Sequence, residues 1–327
     1  MSTAFRRIQI GKETTRGTAV AADTVLIGAL TMTPEITWHR PVDERNSLAE
    51  FNRAVAVGQM TRLRYESDAT YEQLTQFLSM AVKGSISATT PGGATRDWSF
   101  IPNTTAKNVQ DAFTFEYGDD TQAWESDFTV VESLELGLAL NEVLTLRADM
   151  FANFAAKTTF TSGLSAPSLA GGEIVCNNAK IYIDSAWGSL GGTEKATLLT
   201  GATIRVPTGL APVKYADGSL DFSALAEQKT HVELEMDLVS SAAAITEYDA
   251  YVAGTTRAIR IEILGDLTGD SSFKYSFYFD VTGKYVTAPE IWGERDGEDI
   301  VRLALHSHED SSGNHFSFTL RNKLTAI

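Results

Sequence analysis

The sequence predicts a mainly β, antiparallel fold of sandwich or barrel-like type, in which a domain with one short helix occurs twice in tandem. A long internal repeat and period-2 alternation of apolar residues carry that prediction. Moving Ala179 to Val206 (AKIYIDSAWGSLGGTEKATLLTGATIRV) back by 173 positions lays Ile181 and Ile183 on Ile8 and Ile10. The same shift lays Thr197 on Thr24, Leu199 on Leu26 and Gly201-Ala202 on Gly28-Ala29, without a gap. Self-similarity of this length marks a repeated structural unit.

The match continues beyond that segment. RLRYESD (Arg62 to Asp68) answers HVELEMD (His231 to Asp237), and each alternates as a half-buried strand does. A short amphipathic helix follows in both copies, with Tyr71, Leu74, Leu78 and Val82 on one face in the first, and Ile245, Tyr248 and Val252 in the second. Thr70 with Gln73 forms a capping box, and Gly84 and Gly254 stand where left-handed helix stops fall. FTFEYGDD (Phe113 to Asp120) then answers IRIEILGD (Ile259 to Asp266).

In chain order, a strand at Phe5 to Ile10 leads into GKETTRGTAVAADT, an arm too polar to hold a core and expected to order against a neighbour. Leu26 to Trp38 is a strand that Pro34 should break, and a charged connection runs from His39 to Val57. The loop from Gly84 to Gln110 is longer than a passive connection needs, so it too is expected to touch a partner subunit. Two alternating runs, WESDFTVVESLELGLAL and EVLTLRADMFANF, meet at a turn at Asn141-Glu142. Lys157 to Gly172 reads as the interdomain connection, which sets domains at 1–160 and 173–327 with the linker at 161–172. The second copy ends in FKYSFYFDVTGKY, EDIVRLALHSHED and HFSFTLRNKLTAI, with Phe273, Tyr275, Phe277 and Phe279 on the inward face of one strand.

Composition narrows the function classes. With 27 Lys and Arg against 42 Asp and Glu, the net charge of −15 repels nucleic acid, and there is no basic run. The single Cys176 rules out an internal disulfide framework and a cysteine-based zinc cluster. MSTAFRRIQIGKE has no apolar signal core, and no stretch approaches the roughly 20 apolar residues of a spanning helix. The expectation is a soluble protein, with no membrane association, made in a reducing cytoplasm.

A search for chemistry returns no catalytic, cofactor-binding or metal site. His306, His308 and His315, beside Glu309 and Asp310, read as the solvated tip of a hairpin rather than a metal cluster. Asp296, Glu298 and Asp299 read as a solvated turn rather than an acid–base pair. GSLGGTEK (Gly188 to Lys195) lacks the ending and helix context of a phosphate loop, and the sequon at Asn103 lacks a secretion signal. The expectation is a protein that is not an enzyme and needs no cofactor.

RRIQIGKETTRGTAVAAD at the start, PVKYADGSLDF with its following strand and helix, and the ending FYFDVTGKYV…GERDGEDIVRLALHSHED…FSFTLRNK resemble long-tailed bacteriophage tail tube proteins, also called major tail proteins. The resemblance covers nearly the whole chain, and the tandem form is longer than the simplest single-copy members. It implies a siphophage virion structural protein that self-assembles edge to edge into rings, which stack into the viral tail tube used for DNA ejection. Its implied partners are further copies of itself, a tape measure protein and tail-end proteins, with DNA passing through the lumen without specific binding. Six tube domains per ring, at two per chain, imply a trimer with pseudo-sixfold symmetry. The lumen is expected to be lined by acidic and small polar residues from the outer faces of Trp124 to Phe154 and Phe273 to Leu305. The alternative is a two-domain β-sandwich adhesin or carbohydrate-binding module, with Trp124, Trp187 and Trp292 as stacking platforms.

Overall fold

A computed structural model describes residues 5–167, 169–270, 273–295 and 297–327. The first half contains β1 (Arg7–Lys12), β2 (Thr24–Leu26), β3 (Ala29–His39), β4 (Val55–Asp68), α1 (Gln73–Ala81), β5 (Thr89–Gly92), β6 (Thr95–Phe100), β7 (Phe113–Gly118), β8 (Ala123–Ala139), β9 (Thr145–Ala152) and β10 (Ala156–Thr158). The second contains β11 (Ala179–Asp184), β12 (Leu199–Pro207), β13 (Leu210–Val213), β14 (Ala224–Glu227), β15 (Glu233–Val239), α2 (Ala242–Val252), β16 (Arg257–Leu267), β17 (Lys274–Tyr285), β18 (Glu290–Arg295), β19 (Glu298–Ser307) and β20 (Phe316–Asn322). The class is the expected one: mainly β, antiparallel throughout, with two α-helices among the described residues.

The order of pairing is the same in both halves. In the first, neighbours run β1, β7, β8, β9, β4, β3. In the second they run β11, β16, β17, β19, β15, β12. The registers differ slightly: Ile10 faces Phe115, whereas Ile183 faces Ile259 rather than the Ile261 that the sequence match requires. A displacement of two residues keeps the same side chains inward, because faces alternate with period 2.

The halves are not two separate bodies on a string. β8 carries β12 along its last seven residues, from Ser133 opposite Pro207 to Ala139 opposite Gly201. β6 pairs with β20, joining the long loop of the first half to the last strand of the second. One contiguous core holds Ile8, Phe77, Phe115 and Leu136 together with Ile181, Ile204, Phe277 and Leu305. A smaller cluster forms where Leu210 and Phe222, from the β12–β15 connection, pack on Ala112, Phe128, Val130 and Phe151.

Several expectations from sequence change. Pro34 does not break β3, which runs through it opposite Thr61; among the described residues β3 has one strand neighbour, and a missing ladder N–H is tolerated at an edge. The polar arm is folded on its own chain: buried Glu13 accepts hydrogen bonds from Gly17 N, Thr114 Oγ1 and Phe128 N, and Asp23 N donates to Ile10 O. The loop from Gly84 to Gln110 supplies the hairpin β5–β6, whose Trp98 and Phe100 are core residues, so its partner is the second half of the same chain. The connection at 161–172 is held down at both ends. Thr161 N and Oγ1 donate to Glu116, Gly171 N donates to Glu72, and Ile174 threads between Ala69 and Leu144. Ser168 lies outside the described residues.

The helices also diverge. α1 is buried along its whole length and capped by Thr70 Oγ1, which accepts from Gln73 N. In α2 the buried side is Ala244, Glu247 and Ala250, so Ile245 and Val252 face outward instead of inward. Glu247 decides this: buried, it accepts from Arg257 Nε at 2.7 Å and from Tyr285 Oη at 3.2 Å, which fixes the roll of the helix. Gly254 is left-handed as expected, with φ of 61°. After α1 the left-handed residue is Ser85 instead, and Gly84 is required because a side chain there would strike Val109 and Asp111.

Candidate assembly edges and charged sheet face

Alternation along β4, β9, β8, β12, β15 and β19 sends Leu63, Leu146, Leu136, Ile204, Leu234 and Leu303 into the core. Their neighbours in sequence form a single outward face across both halves. Arg62 reaches Glu132, Arg64 reaches Glu66, and Arg205 reaches Glu135, at 2.7, 2.8 and 2.8 Å. Asp237 is the best buried of the acids and takes both Arg295 and Arg302 at 2.7 Å, while Arg302 also meets Glu235 and Glu290. Hydrogen bonding to Asp237 raises the Arg302 guanidinium above its ordinary value. Arg147 completes the ladder beside Glu66 and Asp149. Half-exposed pairs of this kind contribute roughly 0–1 kcal/mol each. Their larger consequence is electrostatic, since every arginine on the face is committed to a carboxylate.

Two strands end this face, and each has one strand neighbour among the described residues. β3 pairs only with β4, and β18 pairs only with β19. β18 resumes the ladder that β17 leaves: Tyr285 faces Leu305, then Glu290 faces Arg302. β17 and β18 together thus stand beside β19 as the single strand β8 stands beside β9. Both free edges carry exposed apolar side chains, Ile36 and Trp38 on β3, and Ile291 and Trp292 on β18.

The histidines are separated rather than clustered. His315 Nε2 lies 2.8 Å from Ser307 Oγ, His308 Nε2 lies 3.5 Å from Thr256 Oγ1, and His306 faces Glu233 across the β15–β19 ladder. Burial lowers the pKa of both His315 and His308. Sequence order concealed that His306 stands nearest His231 and Glu233; the i, i+2 spacing of those two in HVE was the available signal. Glu298 and Asp299 open β19 opposite Arg295 and Glu294, and Asp296 lies outside the described residues. The loop at Gly188 to Lys195 is a turn in which Gly192 N donates to Asp184 and Lys180 meets Glu194. Trp124, Trp187 and Trp292 stand on three separate elements; Lys157 lies over the Trp124 ring at 5.6 Å, and Trp292 is the most exposed.

No protein-family model matches the chain, and no curated protein matches it.

Proposed function

We propose that this chain is a virion structural protein that assembles as stacked rings into a phage tail tube, three chains per ring. The β8–β12 junction carries the reading. β12 has in the second half the place of β3 in the first, and the end of β8 has the place of β18. Thus the edge contact made once inside the chain has both its partners repeated, unpaired, at the two ends of the same sheet. Adding β18 of one chain to β3 of the next repeats that contact between chains. A heterologous, head-to-tail contact of this kind generates a ring when its rotation closes.

The recurring strand order supports the tandem duplication, and with it pseudo-sixfold symmetry from three chains. The charged face would line the lumen. The ion pairs across it join six arginines and seven carboxylates, and arginines already held by acids offer little to a passing phosphate backbone. The expected acidic lining is therefore refined to a neutralised, weakly acidic one. The tape measure protein, tail-end proteins and location in the virion follow as parts of the same reading.

Electron cryomicroscopy of assembled material tests it. The expected density has three chains per ring, β3 of each hydrogen-bonded to β18 of its neighbour, and both halves at the lumen. Six chains per ring with one half displaced to the outer wall, or a ring closed through other edges, refutes it.

A further inference from the structure

We propose that His231, Glu233 and His306 form a binding site for one divalent transition-metal ion of the zinc type. Glu233 opens β15 and His306 lies opposite it on β19, and His231 stands two residues before β15. His231 and Glu233 are two residues apart and point the same way, and His306 is the direct cross-strand partner of Glu233. Their ligand atoms lie within 4.8 Å of one another, with His231 Nε2 at 3.4 Å and His306 Nε2 at 3.8 Å from the same carboxylate oxygen. The two imidazoles are near-parallel, 11° apart with centroids 6.1 Å from each other. Zinc with bonds of about 2.1 Å in tetrahedral geometry holds its ligand atoms about 3.4 Å apart; the two imidazole–carboxylate distances of 3.4 and 3.8 Å already match, and the histidine nitrogens, within 4.8 Å of each other, close the rest by side-chain rotation.

The backbone beneath is fixed. Ser307 N donates to Val232 O at 2.9 Å and Val232 N donates to Ser307 Oγ at 2.7 Å, and these residues adjoin all three ligands. His315 Nε2 sits against the same hydroxyl at 2.8 Å. Glu233 is also available. Arg205, its partner on the other side, is held by Glu135 at 2.8 Å, which leaves the two histidines as the only ionic partners of Glu233 among the described residues. Two imidazoles and one carboxylate favour zinc, cobalt, nickel or copper over calcium and magnesium, which take oxygen ligands. A fourth position faces solvent and would be filled by water.

This site does not depend on the assembly reading. It is tested on the full chain by calorimetric titration with zinc chloride and by visible absorption on adding cobalt(II). The expected result is one ion per chain, cobalt bands of a tetrahedral centre, and binding weakened about tenfold or more in His231→Ala and in His306→Ala. Glu233→Gln should weaken it too, while His39→Ala, at the far end of β3, should bind as the parent does. Absence of zinc binding at millimolar concentration overturns the proposal, as does either histidine variant binding within about twofold of the parent.

Discussion

Asn322 is the residue through which the last strand is fastened to the first half, and replacing it measures how firmly the two halves are joined. Its side chain is fully buried and makes four hydrogen bonds. Oδ1 accepts from Trp98 Nε1 and Leu324 N, both at 3.0 Å, and Nδ2 donates to Tyr71 O and Thr75 Oγ1, both at 2.8 Å. Leucine has nearly the same size but neither group. Asn322→Leu strands the buried Trp98 indole and the part-buried Leu324 amide, at about 1–3 kcal/mol each. Thr75 Oγ1 still donates to Tyr71 O at 2.9 Å, so the acceptor side loses less. The expected loss is about 4 kcal/mol, read as a fall in urea midpoint at unchanged m-value. Because the residue clamps β20 to α1 and β6, the variant and the parent should each unfold in one transition. A loss under about 1 kcal/mol, or a separate early transition of the second half, refutes this account of the seam.

Three further outcomes are expected. Burial holds the His315 pKa below its unfolded value, so the stability it contributes is full above pH 6.5 and is lost as pH falls through the lower folded value; His315→Gln should flatten the slope of thermal midpoint against pH below 6.5. Glu13→Gln replaces an acceptor oxygen with an amide nitrogen among the donors of Gly17, Thr114 and Phe128, and should cost about 1–3 kcal/mol by denaturant titration. Burial raises the Glu13 carboxyl above its ordinary value of 4.5, so the stability its protonation contributes is full below that value and is lost as pH rises through the folded one, and the loss on replacement should shrink from pH 4.5 to pH 7; a stabilised variant would exclude the anchor role. Ile291→Lys with Trp292→Lys puts charge on the exposed edge of β18 and should abolish rings seen by negative stain while leaving the thermal midpoint within a degree or two. Normal rings from that double variant would remove β18 from the interface.

Most strands were legible because alternation is local: the runs around Leu63, Leu134 and Phe277 each show their buried face in the sequence. The course of the joining segments was not. Glu13 and Thr161 look like ordinary polar loop residues, and only the donors brought to them by distant strands make them anchors. Pro34 misled for the same reason, since a proline breaks a central strand but not an edge. On α2, apolar periodicity chose the wrong face, because the paired Glu247 outweighs Ile245 and Val252 in setting how the helix lies. The outward face was half visible. Each strand announced its charged positions, but which arginine met which acid depends on distant neighbours, 70 positions away for Arg62 with Glu132 and for Arg205 with Glu135.

The seam inside the chain is reinforced in a way that a contact between chains would lack. Besides the ladder of β8 with β12, it has β6 with β20, the Asn322 clamp and the cluster around Phe222. A closed ring of three such chains would therefore have alternating strong and weak joints. Heat or bending would open it at every second joint and release whole chains, never half-chains. In a chain built by duplication this would work as a ratchet: with part of each half's core surrendered to the other, a return to free-standing single domains would require many simultaneous changes.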